Sequence, residues 1–97
     1  LIILGMGPDG HVASLFPGMI HEDETRDVFA VTNSPKPPSE RVTFSLKKIN
    51  SAKEIWLIAT GDAKASALSG VVNHDTKLPA SHVKLTRILA DTKAYPH

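Results

Sequence analysis

The opening of this chain constrains its fold more than any other part. Four bulky apolar residues, Leu1, Ile2, Ile3 and Leu4, run into a glycine-rich turn that carries Asp9 and His11, and the stretch closes at Pro17-Gly18. A short continuous apolar run bounded by glycine marks a strand buried on both faces, as in a parallel sheet covered by helices. In open α/β sheets ligands bind beyond the carboxyl ends of the strands, and the turn from Gly5 to His11 falls there. Glycines at such a place let the backbone approach a ligand closely or take positive φ. Asp9 is expected to cap a short helix that follows, with His11 in its first turn facing the crevice.

Gly5, Gly7 and Gly10 also satisfy the spacing G-x-G-x-x-G of dinucleotide-binding turns. That reading is rejected on its mechanics. A pyrophosphate needs an uncluttered helix N-terminus, whereas this turn holds a carboxylate, and Pro17-Gly18 ends the helix too early for a βαβ crossover.

Downstream the chain alternates between extended and helical signals. Residues 28–31 read as a second strand, and residues 41–46 as a third, with Val42, Phe44 and Leu46 on its buried face. A short helical turn is expected at 47–52, and an apolar strand at 54–60 whose Trp56 packs in the core. Gly61 and Asp62 then lead into a helix at 63–72, for which Asp62 is a candidate N-cap. A helical turn opened by Pro79 and a final strand within 86–91 complete the reading. The order implies an α/β fold with a mostly parallel sheet and helices on both faces.

Two charged stretches require a choice. His21, Glu22, Asp23 and Glu24 are consecutive, and consecutive residues rarely converge on one metal ion, so they read as a solvated connection. Pro35, Pro37 and Pro38 stiffen the loop that carries Lys36 and leads to Arg41. A stiff loop offering two cations suits a phosphate, and a surface turn with ordinary charges remains the alternative. Lys64 lies at a strand's carboxyl end, where it can approach an anion, but a solvent-exposed helical lysine is the simpler reading. His74, His82 and His97 read as loop or surface residues.

Eleven basic and ten acidic residues give a formal charge of +1, so nothing electrostatic points to nucleic acid or an anionic membrane. The chain has no cysteine, hence no disulfide, thiolate nucleophile or cysteine zinc site, which is compatible with a reducing compartment. The longest apolar run, 55–59, is far short of the ~20 residues of a membrane span. With 97 residues a single modest core is possible. Beginning with Leu inside a buried strand, the chain is expected to be a fragment of one domain.

Two long motifs resemble the signatures of the 6-phosphogluconolactonases. They are Gly5-Met-Gly-Pro-Asp-Gly-His-Val-Ala-Ser-Leu-Phe-Pro-Gly18 and Ser34-Pro-Lys-Pro-Pro-Ser-Glu-Arg-Val-Thr-Phe-Ser45. Weaker landmarks follow at 60–68, 78–81 and 91–94, so residues 1–97 resemble the later, C-terminal part of a single such domain. The resemblance implies a three-layer Rossmann-like architecture related to glucosamine-6-phosphate deaminases and ribose-5-phosphate isomerases. It implies hydrolysis of 6-phospho-D-glucono-1,5-lactone in the pentose phosphate pathway, a cytoplasmic setting, and a domain that stands alone or is fused to glucose-6-phosphate dehydrogenase. Lys36 is implied to contact the substrate phosphate, with Arg41 either a second contact or a brace for the loop. The earlier Gly-Gly-Ser-type loop and arginine segment of such domains are absent from these residues.

The chemistry can also be assembled from the residues. A lactone carbonyl is electrophilic, so catalysis needs a base for the attacking water and stabilisation of the oxyanion. A histidine with a pKa near ~6.5 can serve, and His11 is the candidate base, with a packing or capping histidine as the alternative. Asp9 is expected to orient groups near it, and backbone N–H groups from Gly7 to Gly10 to line the substrate or the oxyanion. Neither a cofactor nor a metal is expected. The deaminases share the Asp-Gly-His turn but follow it with an Asn-Glu pair that Ser14-Leu-Phe-Pro-Gly18 lacks; a non-catalytic sugar-phosphate-binding domain is the further alternative.

Overall fold

A computed structural model describes residues 1–95, so His97 lies outside the described residues. The apolar opening forms β1 (Ile2–Gly5), and the next apolar run forms β4 (Ile55–Ala59). They pair in parallel from Ile2 opposite Ile55 to Gly5 opposite Ile58, and β4 pairs in parallel with β5 (Arg87–Ala90). Between them, β2 (Val28–Val31) and β3 (Arg41–Phe44) form a separate antiparallel ribbon. Helix α1 (Leu46–Ile49) follows the ribbon, and α2 (Ala65–Val72) follows β4 through a 3₁₀ turn at Asp62–Lys64. A second 3₁₀ turn, Pro79–His82, precedes β5. The α/β class and the parallel sheet are as the sequence predicts.

Alternation along the strands decides where the core forms. Ile55, Leu57 and Ala59 of β4 are buried in one cluster with Ala67, Leu68 and Val71 of α2, and with Met6, Val12 and Leu15 from the loop after β1. On the opposite face Ile3, Ile58 and Leu89 are 54%, 40% and 40% exposed, so among the described residues one face of the sheet is covered and not both. Trp56 is half-buried on that open face, beneath the Arg87 guanidinium 5.0 Å from its ring centre, rather than deep in the core. No helix among the described residues is long and apolar enough to cross a membrane.

Three local expectations are corrected. Residues 11–19 form no helix; they make two tight turns closed by bridges from Val12 to Leu15 and from Phe16 to Met19. Positive φ at Gly10 and Ala13 is incompatible with helix there. In β3 the faces are reversed: Val42 and Phe44 are exposed, while Thr43 is 3% exposed. Pairing sets this phase, because Thr43 lies opposite Phe29 and Arg41 opposite Val31, the two buried residues of β2. Asp62 makes no cap; Gly61, at φ +92°, starts the 3₁₀ turn, and its N–H donates to the Asp91 carboxylate.

The buried Thr43 hydroxyl accepts from Ser14 N–H at 3.1 Å and donates to the Phe44 carbonyl at 2.9 Å, joining the ribbon to the loop after β1. Replacing it by isosteric valine strands the Ser14 N–H, and a buried donor without a partner costs about 1–3 kcal/mol. T43V is therefore expected to lower the unfolding free energy of the intact protein by that amount in urea titration. An unchanged midpoint would show that the hydroxyl contributes nothing.

Candidate active site

Parallel pairing puts the carboxyl ends of β1, β4 and β5 along one edge, and the loops leaving them form the site. Asp9 Oδ1 accepts two hydrogen bonds from the same residue, His11: from its backbone N–H at 3.1 Å and from ring Nδ1 at 2.6 Å. An ionised carboxylate only accepts, so Nδ1 carries the proton and the lone pair of a neutral ring is on Nε2. Burial pushes the Asp9 carboxyl up, but the two hydrogen bonds from His11 and the charges of His11 and Lys36 outweigh it, leaving the group below its ordinary value.

Glycine is needed at two places in this turn. A Cβ on Gly7 would run into the His11 ring atoms Cε1 and Nδ1, so the imidazole rests on a bare backbone. Gly10 takes φ +87°, and a Cβ there would meet the Leu78 side chain. The N–H groups expected to line the substrate are engaged inside the turn: Gly7 N–H donates to the His11 carbonyl at 3.0 Å and Gly10 N–H to the Gly7 carbonyl at 2.9 Å. Both glycines therefore shape the turn instead of offering donors.

The second motif approaches the first from the ribbon. Lys36 is exposed on a loop closed by Ser34 N–H donating to the Ser39 carbonyl. Arg41 donates to the carbonyls of Pro38, Pro37 and Lys36 at 3.1, 2.9 and 3.3 Å, and so fastens the loop. Its guanidinium carbon also lies 5.4 Å from the ring centre of Phe16, whose other neighbour is His11 at a centroid distance of 4.6 Å. The two motifs thus meet at Phe16, and the Lys36 charge adds a small lowering of the Asp9 carboxyl.

Two further residues stand at this edge: Lys64, for which the sequence favoured a solvent-exposed helical position that the structure corrects, and Asp91, which it did not single out. Lys64 is half-buried and its ammonium donates to the Met6 carbonyl, immediately before Gly7. Asp91 accepts from the N–H groups of Gly61 and Ala94, which hold its carboxyl below the usual range. The signal available was their common location, since each follows a strand of one parallel sheet. Elsewhere Glu24 is committed to Arg26, with contacts of 2.8 and 3.0 Å, and the half-buried ring of His82 meets the Thr76 carbonyl at 2.7 Å.

A hydrogen-bonded aspartate–imidazole pair at the carboxyl edge of a parallel α/β sheet is an arrangement that can exchange a proton with a small ligand bound there. Over residues 1–92 the sequence matches the family described as glucosamine-6-phosphate isomerases/6-phosphogluconolactonase, and the chain belongs to that family. A probable 6-phosphogluconolactonase of Drosophila melanogaster is 48% identical over 90 residues, 90% of this chain and 37% of the relative. The 6-phosphogluconolactonase of Rattus norvegicus is 42% identical over 86 residues, 87% of this chain and 34% of the relative. The crystal structure of 6-phosphogluconolactonase from Thermotoga maritima matches with a TM-score of 0.77 at 31% identity, over 92% of this chain and 42% of that one. This chain thus spans well under half the length of each of these relatives.

The depressed Asp9 value fixes the sign of an acid titration. Its stabilising contribution is complete above the unfolded value of 3.8 and is lost only as pH falls through the lower folded value. Carbon-13 NMR of the Asp9 carboxyl is expected to show a midpoint below 3.8 in wild type, rising toward it in H11A. A wild-type midpoint at or above 3.8 would contradict the hydrogen-bonded pair.

Proposed function

We propose that the intact protein hydrolyses 6-phospho-D-glucono-1,5-lactone to 6-phosphogluconate in the pentose phosphate pathway. In this reading the described residues are the later part of one lactonase domain. The enzyme works in the cytoplasm, alone or fused to glucose-6-phosphate dehydrogenase. The observation that carries the reading is the 2.6 Å contact between Asp9 Oδ1 and His11 Nδ1, which leaves Nε2 to act as base. Family membership and the names of the relatives supply the substrate class.

The reaction follows from that base. Nε2 takes a proton as water oxygen attacks the lactone carbonyl carbon, and Asp9 stabilises the imidazolium that forms. The tetrahedral intermediate collapses with cleavage of the bond from carbonyl carbon to ring oxygen. The imidazolium returns its proton to that oxygen, giving the hydroxyl and carboxylic acid of the product, which ionises. Lys36 meets the distal phosphate as a cation on a braced loop, so little order has to be created on binding.

Assays of the intact protein on the lactone and on glucosamine 6-phosphate are expected to show acid release from the first and no ammonia from the second. H11A should lower kcat by roughly 10²–10⁴-fold, the usual contribution of a positioned base. K36A should act mainly through KM. Lactone cleavage indifferent to H11A would remove the proposed base, and ammonia release would favour the deaminase. The 97 residues alone are expected to turn over far more slowly than the intact protein, and equal rates would refute their being part of a larger site.

A further inference from the structure

We infer that Phe16 is a positioning residue, a shared aromatic spacer that sets the base His11 against the loop presenting Lys36. The inference rests on the proposed lactonase reaction for its kinetic readout. Phe16 is fully buried, with the His11 ring at 4.6 Å and 34° and the Arg41 guanidinium carbon at 5.4 Å. A guanidinium within about 6 Å of a ring centre is held by the ring quadrupole. Because that same guanidinium donates to the carbonyls of Lys36, Pro37 and Pro38, the group resting on Phe16 also fixes the loop of the proposed phosphate contact. The two motifs are thus joined through one ring.

A merely space-filling phenylalanine would behave differently. Leucine at this position keeps most of the apolar volume but removes the flat ring and its quadrupole, so the base and Lys36 lose their common reference. The charged groups around the turn remain Asp9 at 2.6 Å from the imidazole, Arg41 beyond the Phe16 ring, Lys64 at the Met6 carbonyl, and Lys36, whose charge acts on Asp9.

The test is a double-mutant cycle in the intact protein, with kcat, KM and the pH profile of kcat/KM on the lactone for wild type, F16L, R41K and the double variant. A misplacement of about 1 Å can cost up to ~100-fold, so F16L is expected to lose at least about tenfold in kcat/KM, raise KM and move the His11 limb of the profile. R41K should raise KM, and the double variant should be little worse than F16L because both remove one coupling. Wild-type KM and pH profile in F16L, or effects that multiply, would overturn the assignment. If F16L fails to fold, R41K decides: it touches no atom of the imidazole, and an unmoved His11 limb would overturn the proposal. If wild type opens no lactone, the proposed reaction fails while this inference is still read by NMR. A His11 titration displaced in R41K would support the spacer, and an identical titration would overturn it.

Discussion

Parallel pairing of β1 with β4 is the constraint on which the site depends. Ile2 opposite Ile55 and Gly5 opposite Ile58 put the exits of both strands at one edge, so the loop carrying His11 and the turn carrying Lys64 leave side by side. A shift of one residue would turn the Leu57 and Ala59 side chains out of the core. Core packing and site geometry are therefore held by the same register. Lys64 reaching the Met6 carbonyl and Asp91 reaching Gly61 then tie the three loops of that edge across the sheet.

The ribbon supplies the other half of the site by a different route. Its inward face is set by Phe29 and Val31, and antiparallel pairing turns Thr43 and Arg41 to the same side. Thr43 holds the ribbon to Ser14, and Arg41 lies over Phe16 while fastening the Lys36 loop. Two polar side chains that would be costly to bury alone are thus satisfied by partners in the first motif or its own loop. The proline-rich loop is stiff by composition, and where it points is decided by that guanidinium.

Much of this was legible from the residues. The apolar run before Gly5, the Asp9 and His11 turn, and the proline stiffening of the Lys36 loop follow from local chemistry; a bracing role for Arg41 came from the family resemblance, and Arg41 meets His11 across Phe16. Other features depend on partners distant in sequence. Val12, Leu15, Phe16 and Met19 have helical spacing, yet positive φ at Gly10 and Ala13 turns them into two bridged turns that still bury Val12, Leu15 and Phe16. In β3, the apolar residues suggested the wrong buried face because alternation alone does not say which phase points inward. The Ser14 N–H that donates to the Thr43 hydroxyl lies 29 residues upstream, and the carbonyl partner of Lys64 lies 58 residues away on a neighbouring strand's loop. Neither distance leaves a mark in a local pattern.

The double use of Asp9 Oδ1 carries a consequence for how this turn can vary. One oxygen fixes both the peptide direction and the ring tautomer at His11, so the shape of the loop and the placement of the ring proton are a single trait. A substitution at Asp9 that changes the ring tautomer also removes the bond to the His11 N–H, so both are kept or lost together.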